Sequence, residues 1–317
     1  MTRKSILRSP GSSDLAGGTD TVALPDENIR TNTQPLPSTH WPDGSRLVIS
    51  VSMQFEAGGQ PDNAESPFPR DMKKGFKDYG TESWYQYGYK EGIPRMLDLF
   101  DKFNLKVTSH MIGEAALKNP ALAKEIVQRG HEAAAHGMQW VQQYAMTYEK
   151  EKKFVTDNLE AILKTTGTRP YGYDATWARR SENTLNILQE LGFTYFVDDL
   201  SRDEPFMIKL NDKNFTIIPY TFRCNDILLI EGKNFSPDQF LSTLKLEFDQ
   251  LYEESSTRRR QMSLSMHDRI GGTPQVISVV KDFFEYARKQ KGVVFRRKDE
   301  IVQMMLDAKD KILDTGY

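Results

Sequence analysis

LVISVSMQF (residues 47–55), followed at once by EAGG (56–59), is the stretch on which the fold turns. It is apolar and rich in β-branched residues, and it ends on a carboxylate and two glycines, which makes it a strand opening into a loop. Side chains alternate along a strand, so Gln54 and Glu56 share one face while Met53 and Phe55 take the other. A polar face that close to a strand end, beside glycines that let a backbone approach a ligand, marks a candidate site.

Outward from this strand, strand-like and helix-like segments alternate. VTSHMIG (107–113) precedes a helix that Asn119 and Pro120 open and Gly130 closes, and HEAAAHG (131–137) precedes a helix over 147–165. RPYGY (169–173), a helix over 181–192, TYFVDD (194–199), FTIIPYT (215–221) and a helix over 236–253 continue the series. QMSLSMH (261–267), a helix over 274–289, VVF (293–295) and a last helix near 300–307 complete it. Such alternation predicts an α/β fold on a parallel sheet, open or closed into a barrel, over residues 39–317 as a single domain. Residues 1–38, rich in Ser, Thr, Asn, Gly and Pro, read as an N-terminal arm outside the barrel or on a neighbouring subunit.

Ligands of parallel α/β proteins bind beyond the carboxyl ends of the strands. Gln54 and Glu56, His136, Asp198 and Asp199, and His267 all fall at such ends. His131 and His136 are five apart, an odd separation that points their rings to opposite faces of a strand, so they do not form a metal pair. His131 follows the helix-ending Gly130 and reads as structural, which leaves His136 for chemistry. The aromatic run SWYQYGY (83–89) either roofs a pocket or packs in the core.

Composition narrows the classes. The 317 residues carry a net charge of -2, with 42 Lys and Arg against 44 Asp and Glu, so no field favours nucleic acid or anionic lipid, and a small-molecule substrate is expected. The basic Arg258–Arg260 cluster reads as a solvated loop. A lone cysteine, Cys224, excludes an intramolecular disulfide and suits the cytoplasm, and no export signal or apolar run of roughly 20 residues is evident. There is no GxSxG elbow, GxGxxG turn, P-loop, HExxH or CxxC, which argues against the common serine hydrolases, dinucleotide enzymes, NTPases and dense zinc motifs.

The sequence resembles the polysaccharide deacetylase (NodB-type) superfamily, and within it the metal-independent allantoinase and cyclic imide hydrolase branch. The resemblance runs from about residue 41 to 307. It is carried in order by FEAGG (55–59), YGYKEGIPRMLDLF (87–100), GHEAAAHGMQW (130–140), TRPYGY (168–173), Asn183-Thr184, IPYTFRCND (218–226) and SMHDRIGGTP (265–274). It implies a distorted (β/α) barrel of the polysaccharide deacetylase type with fewer than eight regular parallel strands, and a homo-oligomer, the tetramer included.

Metal-dependent members carry aspartates on the first strand and a His-x-x-x-His pair. Here Gln54 and Glu56 stand in the aspartate region and the pair has become His136 and Trp140, whose indole nitrogen can only donate. A catalytic zinc wants three good protein ligands, so no cofactor is expected, with zinc as the alternative. The resemblance implies Glu56, His136 and His267 as catalytic residues, with His267 as general acid. It implies substrate contacts from Gln54, Trp140, Arg169, Tyr173, Asn225, Asp226 and Arg269, Arg169 serving to orient an acidic partner. The implied reaction is hydrolysis of a non-peptide carbon–nitrogen bond that opens an allantoin-, hydantoin- or imide-like ring without a metal. The alternatives are a metal-dependent carbohydrate or peptidoglycan N-deacetylase and a catalytically silent binding protein on the same fold. Ala57 in place of a second acid before the glycines, and DATWARRSENT after TRPYGY, depart from the allantoinase pattern and leave the ring unspecified.

Overall fold

The computed structural model describes residues 40–308, apart from 63, 70 and 74, together with 313 and 314. The N-terminal arm of the sequence reading lies outside the described residues.

β1 (Leu47–Phe55) is the centre of the fold. It pairs in parallel with β8 (Arg260–His267) along one edge, and on the other edge with β9 (Val293–Phe295) in its first half and β2 (Thr108–Met111) in its second. The sheet runs on in parallel through β3 (Glu132–Ala135), β4 (Gly172–Tyr173), β5 (Tyr195–Phe196) and β7 (Lys213–Ile217). Beyond β7, a bridge between Asn225 and Ser265 of β8 brings the two sides of the curled sheet together. The expected distorted barrel is therefore present, with β4 and β5 only two residues each. Ten strands occur among the described residues. The sequence reading lacks β6 (Phe206–Leu210), which pairs antiparallel with β7. The linking Asn211 and Asp212 both have positive φ, the two-residue hairpin turn that Asn and Asp favour.

The alternation read in β1 holds. Leu47, Ile49, Val51, Met53 and Phe55 join the main apolar core with α2 (Ile93–Lys102) and α8 (Pro274–Ala287). Ser50, Ser52 and Gln54 belong to the opposite face, where much of the buried surface is polar. Lys298, at the start of α9 (Lys298–Asp307), donates to Ser50 Oγ at 3.2 Å and Ser52 Oγ at 2.7 Å. Glu132 accepts from the Thr108 and Tyr195 hydroxyls at 2.7 and 2.8 Å. Burial pushes Glu132 up to about 7 and pulls Lys298 down to about 8. Helix signals are local: Ser236 and Gln239 form a reciprocal capping box around Pro237 at the start of α7 (Pro237–Glu254), and Gly167, at φ 75°, ends α5 (Tyr148–Thr166).

Candidate active site

The strands deliver their polar ends to one small cavity of about 40 Å³, lined by Gln54, Glu56, His136, Trp140, Asn225 and His267 among others. That is room for roughly three waters, since one probe sphere takes about 10–15 Å³. At its floor, Glu56 Oε1 lies 3.3 Å from His136 Nε2 and 3.5 Å from His267 Nε2, while Glu56 Oε2 accepts from Arg269 Nη1 at 2.7 Å. The carboxylate thus meets three cation-forming side chains. The loop after β8 folds back on β1, where Asp268 Oδ2 accepts from Glu56 N at 2.9 Å and Ala57 N at 2.7 Å. Gly92 permits that return, because a Cβ there would lie 1.8 Å from the Asp268 carbonyl oxygen.

The charges follow from these contacts. Burial raises the Glu56 carboxyl, but His267, Arg269 and His136 outweigh it and hold the group ionised far below the usual carboxylate range. Burial pulls His136 down, yet Asp174 and Glu56 bring it up to about 9. Its Nδ1 donates to the Asp174 carbonyl at 2.8 Å, which fixes the ring and turns Nε2 to Glu56. In His267 the carboxylates of Glu56 and Asp226 likewise outweigh burial and raise the imidazole. Asp226 holds that ring twice, accepting from His267 Nδ1 at 2.6 Å and His267 N at 2.7 Å.

Six residues of the sequence reading meet at the cavity, and four do not. Asp226 is buried behind His267 with its oxygens taken, so it holds that ring and does not line the cavity. Arg269 is 1% exposed behind Glu56, stacked by Trp84, Tyr85 and Trp140 at 4.9, 4.6 and 5.4 Å from their ring centres. The run at 83–89 therefore packs on Arg269. Tyr173 faces the core and donates to Gln143 Oε1 at 2.9 Å, since it alternates with the site-facing Asp174. Arg169 bonds the Leu191 carbonyl at the end of α6 (Thr184–Glu190) and stacks on Tyr171, away from the cavity. His131 accepts from Val107 N at 3.1 Å and packs edge-on to Phe100, as its parity suggests.

Several residues in or beside the cavity are not among those ten. Asp174 follows β4 and accepts from Gln54 Nε2 at 2.9 Å, so the strand-end rule that raised His136 could have found it. Asp198, at a strand end as the sequence suggests, hydrogen-bonds Asp174 and accepts from Ala175 N at 2.7 Å; burial and Asp174 raise it well above the usual range. His110 is fully buried with Asp174 Oδ2 at 3.8 Å, and burial pulls it down to about 3. Trp177, Tyr220 and Phe222 supply aromatic walls that no spacing announced.

The donor set does not fit the metal that the resemblance associates with such folds. Among the described residues no three or more His, Cys, Asp or Glu side chains are arranged to hold an ion. The carboxylate is already paired with Arg269.

Residues 83–196 match the family model described as Polysaccharide deacetylase. The chain is similar to a Helicobacter pylori protein named Peptidoglycan deacetylase, 27% identical over 248 residues, covering 68% of this chain and 84% of that protein. A solved structure described as "probable Polysaccharide deacetylase from Pseudomonas aeruginosa PAO1" is 28% identical with a TM-score of 0.81, covering 90% of this chain and 99% of the other. The crystal structure of Puue Allantoinase is equally near, at 28% identity and TM-score 0.81, covering 91% and 99%. No helix among the described residues is long and apolar enough to cross a membrane.

Proposed function

We propose that this chain, a hydrolase of the polysaccharide deacetylase family, opens a small cyclic amide of the hydantoin, allantoin or imide kind without a metal. The observation that carries this reading is the small cavity of about 40 Å³ in which Glu56, His136 and His267 converge between aromatic walls, where pockets for larger ligands run to about 300 Å³ or more.

Water entering between Glu56 Oε1 and the two imidazoles gives up a proton to Glu56 as its oxygen attacks the ring carbonyl. Substrate and water entering between Glu56 Oε1 and the two imidazoles loosen those two contacts and raise the basicity of the carboxylate, while Arg269 stays on Oε2. The His136 imidazolium and its Nε2–H stabilise the tetrahedral oxygen. His267, oriented by Asp226, protonates the ring nitrogen as the carbon–nitrogen bond breaks, and the proton on Glu56 returns to His267. The product is one ring-opened molecule bearing a carboxylate. A ring amide with an electron-poor nitrogen needs less help from a Lewis acid than an unactivated acetamide does. The same reading takes the enzyme as a cytoplasmic homo-oligomer; its thiol, Cys224, is free and buried.

The experiment is a panel of allantoin, hydantoin, succinimide and chitooligosaccharides, assayed with and without a chelator. Turnover of one ring amide, insensitive to chelator, is expected. Release of acetate from the sugar that depends on added divalent metal would replace this reading with a sugar N-deacetylase, the activity in the name of the H. pylori relative.

A further inference from the structure

Trp177 and Ala178 have φ of 59° and 53°, the left-handed region, although neither is glycine, and both line the cavity. Two consecutive side-chain-bearing residues in that region are strained, and such strain persists only where the surroundings hold it. They do so here from both ends. Before the turn, Asp174 N donates to the Ala135 carbonyl at 3.0 Å and Ala175 N to Asp198 Oδ2 at 2.7 Å. After it, the Arg179 carbonyl accepts from Gln143 N at 3.1 Å. Within it, Ala178 N donates to the Ala175 carbonyl at 2.9 Å. The result puts the Trp177 indole beside Trp140, ring centres 6.0 Å apart and planes at 47°. That separation leaves no space for a ring between them, so the two tilted indoles form a corner in the cavity wall.

Resting on the proposed ring-opening activity, we infer that the strained Trp177–Ala178 turn is the specificity element of this enzyme, selecting substrates whose reacting amide belongs to a flat ring. A planar imide or hydantoin offers a π-face to an indole. Strain and selectivity are then one feature, because the conformation that carries the strain is the one that aims the indole.

The two halves separate by substitution. Ala178→Gly, read only by melting temperature, relieves strain that glycine does not feel and raises Tm by about 2–4 °C. Trp177→Gly raises KM for the ring substrate at least tenfold while changing kcat less than threefold, and Trp177→Phe recovers most of that loss because it restores a flat face. A KM within twofold of wild type in Trp177→Gly, no recovery in Trp177→Phe, or a lower Tm in Ala178→Gly overturns the inference. If wild type opens no ring amide, the functional reading fails on its own, and calorimetric binding of hydantoin decides this one. Binding at least tenfold weaker in Trp177→Gly supports it; equal binding, or none by wild type, overturns it.

Discussion

Glu56→Gln tests the centre of the site, and its consequences can be worked from the contacts. All three polar neighbours of the Glu56 carboxylate are donors: Arg269 Nη1 at 2.7 Å, His136 Nε2 at 3.3 Å and His267 Nε2 at 3.5 Å. An amide there must turn its NH₂ toward a donor, and it removes the charge that offsets buried cations. Losing general base catalysis lowers kcat by about 10²- to 10⁴-fold, or roughly 3–5 kcal/mol of barrier. From the sequence alone this substitution looks harmless to stability, but the structure argues otherwise. Breaking a buried pair on one side costs about 3–5 kcal/mol, so Tm should fall on the order of 10 °C. His136 should also titrate below about 9, because one of its two supporting carboxylates is gone. Steady-state kinetics on the ring substrate, a calorimetric scan and an NMR titration of the histidines read the three effects. Near wild-type kcat would move the chemistry elsewhere, and unchanged Tm with unchanged His136 titration would refute the charge cluster itself.

The raised pKa of His136 makes stability depend on pH. A folded value of about 9 against 6.5 unfolded gives a contribution fully present below about pH 6.5 and lost as pH rises to about 9. Tm of the wild type should therefore decline over that window, and His136→Asn should flatten the decline. Asp226→Asn removes a carboxylate that keeps His267 protonated, so activity should fall off at lower pH than in wild type, as a pH–rate profile shows. His267→Ala should slow substrates with poor leaving nitrogens more than activated imides; equal slowing of all substrates would take the general-acid role from it.

The parts of the fold and site that follow from side-chain parity were legible. A step of two along β1 put Gln54 and Glu56 together, and the odd spacing of His131 and His136 separated structure from site. Residues carried over from family resemblance fared unevenly, since a motif fixes sequence position and not direction. Tyr173 and Arg169 sit in the motif stretch, but one faces the core and the other ends a helix. Asp226 and Arg269 lie beside the cavity, yet a shell of hydrogen bonds and rings keeps them out of its wall. What stayed invisible depends on closure of the sheet: His110 beside Asp174, and Trp177 against Trp140, are contacts between strand ends or loops distant in sequence. Hairpin β6–β7 is different, because its Asn-Asp turn between FMIKL and KNFTI was there to be read.

Trp140 and Arg269 bring the question of the metal down to one test. Trp140 stands where the resemblance puts the second histidine of a ligand pair, and its ring is also a wall of the aromatic cage around Arg269, 5.4 Å away. The residue that removes a ligand thus helps to hold a permanent cation 2.7 Å from Glu56. A divalent ion entering beside Glu56 would face that guanidinium, and two unit charges about 4 Å apart repel by roughly 4 kcal/mol at an effective dielectric of 20. Restoring the ligand alone should accordingly do little. Trp140→His is expected to bind zinc only slightly better than wild type, while Trp140→His combined with Arg269→Met should gain about a further 10³-fold, since 1.4 kcal/mol is tenfold. Zinc titration by calorimetry on wild type, both single variants and the double variant gives the coupling, with circular dichroism checking that Arg269→Met remains folded. Tight binding by Trp140→His alone, or by wild type, would show that Arg269 does not exclude the ion, and chelator-sensitive turnover of the ring substrate would overturn the metal-independent mechanism with it.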